Sequence, residues 1–598
     1  MTQRPFNMHV GIYTKTLCDD LRKCLLITLT LLFVCPGVWG DTFPAAVNGV
    51  KTLADNATYY LINDTHFNDG YLYIPSGCTV TIQFSSNQTL SRSLPSTTEN
   101  GYVIKNEGTL NIIGNGNYPW LSGGKNTGNG GCIYNSGILN VNGINFLNNQ
   151  TEGNGGAVYN TSSGVVTLTN CRMGYSSWYN TAVNGAGVYN EGELIIEGGQ
   201  FNGNTASGQG GAIYQAGGTL TIKSSPVIAT NKVGDVINNV YLPTGKTIAI
   251  DGVLGSGANI GITVETRGTF TTGSTSESNV SKFFSDIVGV DIVNVGDNNA
   301  KIQTQWDELQ ELLTAAESSG TLQLTRDYTA VAGVDVPLTF TGNVTIDLNG
   351  HTIDRGLSSS SAAADGYLVS VASESSLTIN DTGGGGIITG GKVSGNGGAI
   401  INAGTLTVSG GTITGNSATG NGGAIFNTGT ATISGGTLSS NSASQGGAVY
   451  NNGTLTVSSC TIQNNTASTN GGGIYHYDGT LNMSGAPTIS GNQKGTADNN
   501  VYLASEKTIT VNADLTNTTP IGITRANIGV FTTGLNTYAG DYTKFTSDDA
   551  RFVTANSSGN AKLQTYWMDL QEKLDAGNVI LARNYEYLSG FDNAGLTV

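Results

Sequence analysis

The sequence predicts an all-β fold: a right-handed parallel β-helix with coils of about 25 residues, in two tandem modules. Three observations predict it. The first is a short period. "GGCIYN", "GGAVYN", "GAGVYN" and "GGAIYQ" place Tyr134, Tyr159, Tyr189 and Tyr214 at steps of 25, 30 and 25 residues. "GGAIIN", "GGAIFN", "GGAVYN" and "GGGIYH" place Ile401, Phe426, Tyr450 and Tyr475 at steps of 25, 24 and 25. The second is alternation within each period, as in Gly404–Val408, where Leu406 and Val408 share one face and Thr405 and Thr407 the other. The third is a long period of 261 residues, which relates Tyr241 to Tyr502 and Trp306 to Trp567.

The elements follow in chain order. Residues 1–40 read as a signal peptide: Arg22 and Lys23 precede the apolar run Cys24–Val34, and Val38 and Gly40 suit cleavage before Asp41. That run is too short to span a bilayer comfortably. The mature chain is therefore expected to be exported and to hold no transmembrane segment. The first β-helix module is expected over residues 41–304 and the second over 305–565. Residues 566–598 read as the start of a third, incomplete module.

Each coil has one grammar. Gly-Gly turns the chain into a short apolar strand, an Asn or Gln followed by Gly makes a corner, and a second strand follows. Several strands in 25 residues with no helix between them return the chain to its start. Each aliphatic then lies above its copy, so a few per coil fill a continuous core. The expected inward ladder is Ile133, Val158, Val188 and Ile213 in the first module, and Ile400, Ile425, Val449 and Ile474 in the second. The orientation of the Tyr rows stays open. Trp306, Leu309, Leu312 and Leu313 form an apolar stripe with acidic residues in the N-terminal half, which predicts an amphipathic helix. Trp306, Leu309 and Leu313, with their counterparts Trp567, Leu570 and Leu574, are the expected capping residues at a solenoid end. A partner-binding helix is the alternative.

Composition narrows the function. Charged residues are 11% and the net charge is −16, which argues against a nucleic-acid partner, because phosphate contacts need clustered Lys and Arg. Cys78, Cys132, Cys171 and Cys460 lie after the signal segment, too sparse for a disulfide framework, and no CxxC suggests zinc. The glycines do not open a helix after a strand, so they are not a nucleotide loop. No cofactor or metal is expected.

The repeated "GGAI" at Gly210–Ile213, Gly397–Ile400 and Gly422–Ile425, with "FLNN" (Phe146–Asn149) and "FNGN" (Phe201–Asn204), resembles the polymorphic outer membrane proteins of chlamydiae, marked by GGA[ILV] and FxxN. The chain also looks like the wider group of right-handed parallel β-helix repeat proteins on bacterial surfaces. The resemblance implies a secreted or cell-surface, outer-membrane-associated protein of a bacterium, often used in adhesion. It adds a C-terminal membrane β-barrel that this sequence does not display.

Parallel β-helices also carry polysaccharide lyases and hydrolases, which need clustered carboxylates and a base. Asp347, His351, Asp354 and Arg355 form the best enzyme-like cluster; "VTIQFSSNQTL" in the first module replaces Asp347 with Gln83 and has no histidine. Asp64, His66 and Asp69 read as a polar loop before the repeats. The expected function is thus a non-catalytic surface protein in adhesion or cell-envelope and glycan contact, with host or matrix glycans or proteins as partners. A carbohydrate-active enzyme is the alternative.

Overall fold

The computed structural model describes residues 43–577, except 176, 539 and 540, together with 584, 585, 587 and 588. The expected signal peptide therefore lies outside the described residues, as does most of the expected third module. The chain divides into two compact units, Met1–Gln303 and Thr304–Val598. Each unit is a parallel β-solenoid.

One coil illustrates how the sequence builds it. Ile133–Asn135, Ile138–Asn142, Asn145–Leu147 and Gln150–Thr151 are four short strands in succession. Each pairs in parallel with the strand one coil further on: Ile133 faces Val158, Leu139 faces Val166, and Phe146 faces Met173. Alternation then sorts the side chains, since successive residues of a strand point to opposite faces. Ile133, Val158, Val188 and Ile213 are in continuous register and fully buried. Ile400, Ile425, Val449 and Ile474 do the same in the second unit.

The Gly-Gly turn uses its two glycines differently. Gly422 has φ +70, in the left-handed region that side chains disfavour. Gly423 has no such φ, but a Cβ there would lie 2.1 Å from the Gly447 carbonyl of the next coil. One glycine permits the turn and the other permits the stacking.

Two departures from the sequence reading stand out. The corners expected in two coils are absent: Val449–Val457 and Ile474–Gly485 run through as single strands. A register shift after Asn451 absorbs the bend, and Gly453 pairs with Gly479 where a side chain would collide. Each unit also ends in an antiparallel three-stranded sheet that the repeat grammar does not contain. These are Gly268–Thr269, Asp291–Asn294 and Ala300–Gln303 in the first unit, and Gly529–Val530, Phe552–Ala555 and Ala561–Gln564 in the second. Each is tied to the last coil by a reciprocal pair: the Phe270 amide donates to the Ala300 carbonyl and the Ala300 amide to the Thr271 hydroxyl, as Phe531, Ala561 and Thr532 do in the second unit.

Helix α1, Gln305–Ser319, opens the second unit. Thr304 and Asp307 form a reciprocal capping box at its start, and Gly320, φ +81, ends it. Trp306, Leu309 and Leu313 are buried in one core with Leu322, Leu324 and Tyr328 of the first coil. Helix α2, Tyr566–Asp575, leaves Trp567, Leu570 and Leu574 half-buried.

Candidate functional site

The enzyme-like cluster separates into four unrelated roles. Asp347 is buried at the end of strand Asn343–Asp347 and accepts bonds from the Thr382 hydroxyl (2.6 Å), the Thr382 amide (2.9 Å), Gln323 (2.9 Å) and the Asn349 amide (3.1 Å). Burial alone would raise its pKa, but these donors together hold it below the usual carboxylate value. Such a group is a staple between coils and a poor general base. His351 is half-buried in the following turn and faces Asp327 at 3.4 Å. Asp354 accepts the Gly356 amide at 2.8 Å.

Arg355 is buried and donates to the carbonyls of Asp335 (2.9 Å), Tyr367 (3.1 Å) and Asp365 (3.4 Å), with its guanidinium 5.7 Å from the Trp306 ring. Asp347 and His351 lack a counterpart in the first module, but Arg355 has one. Arg92 occupies the same place in the first unit and donates to the carbonyls of Asn100 (2.7 Å) and Tyr102 (2.9 Å). In both units an arginine at a strand end pins the loop that leads into a Gly-Tyr pair, Gly101-Tyr102 or Gly366-Tyr367. Different loop lengths hide the correspondence in a linear alignment.

The polar side chains that do converge form ladders. Asn135 donates to Asn160 (2.9 Å), Asn160 to Asn190 (2.8 Å) and Asn190 to Gln215 (2.9 Å). A second ladder runs Asn149, Asn180, Asn204, Asn231 and Asn239, with steps of 2.9, 2.8, 2.8 and 2.9 Å, and ends on Asp286 at 2.6 Å. Its twin runs Asn416, Asn441, Asn465, Asn492 and Asn500 and ends on Asp548 at 2.8 Å. Burial raises the pKa of both terminal carboxyls, against the lowering effect of their asparagine donors. The Asn402–Asn427–Asn451 ladder ends on His476, 3.1 Å from the Asn451 amide nitrogen. Burial first, then nearby Lys507, pushes the His476 pKa down to about 4.

The aromatic rows lie on the outer face of the sheet, between inward Ile or Val and inward Asn. Tyr134, Tyr159, Tyr189, Tyr214 and Tyr241 stack with centroids 5.4, 5.4, 5.1 and 5.2 Å apart. Phe426, Tyr450, Tyr475 and Tyr502 repeat this at 5.3, 5.3 and 5.1 Å. Stacking hides most ring faces and raises the Tyr450 pKa, chiefly by burial, to about 12. A cleft of about 460 Å3 lies at the foot of the first row, beside Glu99, Tyr102, Lys105, Glu107 and Tyr134. Its Glu107 is engaged by Lys105 (2.8 Å) and Tyr73 (2.6 Å).

Four stretches, 143–161, 199–216, 410–428 and 459–477, match the model of the Chlamydia polymorphic membrane protein repeat. These four stretches are similar to the polymorphic membrane protein repeat. No curated protein and no solved structure gives a match. Each matched repeat runs from a coil's second ladder to its Gly-Gly turn and Tyr row, and every recurrent position has a structural task. In 143–161, Phe146 fills the core, Asn149 joins the buried ladder, Gly155 turns the chain, Val158 is inward, and Asn160 joins the other ladder. The polymorphic membrane protein repeat thus encodes the coil itself. Among the described residues no group of three His, Cys, Asp or Glu is placed to hold a metal, and no helix is long and apolar enough to cross a membrane. Cys78, Cys132, Cys171 and Cys460 are buried, and none of them is in a disulfide.

Proposed function

We propose that this chain is an exported, surface-associated protein of a bacterium that uses its solenoids for adhesion or cell-envelope contact, without a chemical step. The observation that carries the reading is the polymorphic membrane protein repeat, matched four times on stacked coils. The fate of the enzyme-like residues supports it: Asp347 and Arg355 are consumed by backbone and hydroxyl partners within the coils. The resemblance to surface β-helix proteins makes host or matrix glycans or proteins the natural partners. Recognition then comes from many weak contacts along the flanks, added by multivalency.

The test is antibody labelling of intact bacteria that express the chain, with purified chain incubated in parallel with pectins, alginates and glycosaminoglycans. Labelling without permeabilisation and no release of reducing ends or unsaturated products is the expected result. Labelling only after permeabilisation, or turnover abolished by His351→Ala, overturns the reading.

A further inference from the structure

The coil that begins at Gly155 is the odd one in the first series, with a 30-residue step where its neighbours have 25. Most of the extra length falls between Met173 and Asn180, with a smaller part between Asn160 and Val165, and the larger insertion carries Tyr175, Trp178 and Tyr179. Tyr175 and Trp178 exchange both backbone hydrogen bonds, 3.2 and 2.9 Å, which ties the two sides of the insertion together. Its two ends are fixed. Met173 is buried in the core, and Asn180 is a buried rung of the asparagine ladder.

The hairpin returns across the flank. The outward row of this sheet runs Thr89, Trp120, Asn145, Arg172 and Gln200 in register. Trp178, which follows Arg172, lies against Trp120 two coils earlier, with centroids 6.0 Å apart and planes tilted by 46°. The Arg172 guanidinium lies over the Tyr118 ring, 3.7 Å from its centroid. The aromatic side chains stay open to solvent: Tyr175 is 60% exposed, Trp178 49%, Tyr179 44% and Trp120 39%. The chain has five tryptophans, and these two meet each other on the surface.

We infer that Trp120, Trp178, Tyr175 and Tyr179 form a platform that binds a neutral, pyranose-containing glycan. This deepens the proposed surface role and rests on it. A pyranose presents a face of C–H hydrogens to the negative face of an aromatic ring, while its hydroxyls need polar neighbours. The platform supplies both, with indole N–H and phenol O–H groups beside Thr89, Arg172 and Gln200, while Asn145 in the same row is buried and donates to the Tyr118 carbonyl. The angle between the indoles gives two adjacent faces, suited to successive sugar residues. A protein-docking anchor would call for a ring of side chains that excludes water, and this strip is polar. An anionic membrane is disfavoured, because the net charge is −16 and Arg172 is stacked on Tyr118. The Tyr175–Trp178 backbone pair and the buried ends at Met173 and Asn180 restrain the rings, which lowers the ordering cost of binding.

The experiment is calorimetric titration of the purified chain with neutral hexaoses of glucose, galactose, mannose and N-acetylglucosamine, in α- and β-linked forms. At least one is expected to bind. Trp178→Ala and Trp120→Ala should each weaken that binding by about tenfold or more, and Trp178→Phe should restore part of it. Both tryptophans are surface side chains, and unchanged protease resistance of the variants checks the fold. Failure of all hexaoses to bind, or binding that ignores both tryptophans, overturns the inference. Tryptophan-dependent capture of an enzymatically deglycosylated protein, with no hexaose bound, overturns it in favour of protein docking. Surface labelling that persists in either case leaves the surface reading standing, so the two failures are distinguishable.

Discussion

His476 stands where the preceding coils carry Asn402, Asn427 and Asn451, and its ring accepts the bond that an asparagine carbonyl accepts elsewhere. The imidazole must be neutral to accept it. Its pKa falls from the ordinary 6.5 to about 4, by burial and by Lys507, against a smaller opposite effect of Asp478. Between those values the unfolded chain binds a proton that the folded chain does not. Stability is therefore fully present above pH 6.5 and declines as the pH falls toward 4. A drop from 6.5 to about 4, at 1.36 kcal/mol per unit, corresponds to about 3 kcal/mol. His476→Asn keeps an acceptor for Asn451 and removes the titration. Asp548, whose raised pKa acts with the opposite sign, is common to both proteins and cancels. Urea denaturation followed by circular dichroism at pH 7, 5.5 and 4 should show the variant gaining on the wild type by about 3 kcal/mol from neutral to acid pH. A difference that does not change with pH would refute the neutral, buried acceptor.

Other outcomes follow from the same contacts. Ile425→Asp places an unpaired charge in the fully buried ladder and should cost several kcal/mol, seen as a lower denaturation midpoint and faster proteolysis. Arg355→Ala strands three backbone carbonyls, those of Asp335, Asp365 and Tyr367, and should destabilise by about 1–3 kcal/mol while exposing the loop before Tyr367 to protease nicking. Arg92→Ala should do the same for the loop before Tyr102, and a null effect would remove the equivalence of the two arginines. Burial raises the thiol pKa of Cys132, and of Cys171 and Cys460 to about 12, so native protein should resist alkylation that goes to completion in urea.

The inward rows were legible because two periodicities reinforce one another. A 25-residue repeat places like on like, and the two-residue alternation of a strand says which of Ile425 and Phe426 points in. The Tyr rows were ambiguous because an aromatic side chain serves equally as core or as outer stack. What ends a ladder could not be read from the repeats, since Asp286 and Asp548 lie beyond them. They become partners of Asn239 and Asn500 only when the chain has travelled 47 and 48 residues further. Arg355 was read as part of a reactive cluster because charge is scarce in this sequence and its neighbours share a turn. Its partners are main-chain carbonyls, which leave no trace in side-chain spelling. The aromatic hairpin interrupts the period, and a search for repetition passes over what does not repeat.

The glycine turns and asparagine rungs have a consequence for length. Each coil offers its successor the same surface that it receives from its predecessor, so one coil is interchangeable with the next. Removal of residues 422–445 would bring Asn402 to face Asn451, Asn416 to face Asn465, and the Gly397–Gly398 turn to face Gly446–Gly447. The asparagine rungs and glycine turns meet their own kind again, Val449 takes the place of Ile425 beside Ile400 and Leu455 that of Ala431 beside Leu406, while α1 and the closing antiparallel sheet stay untouched. Such a solenoid can be shortened or extended by whole coils at the cost of small changes in core volume, and its length becomes a quantity that duplication and deletion can tune.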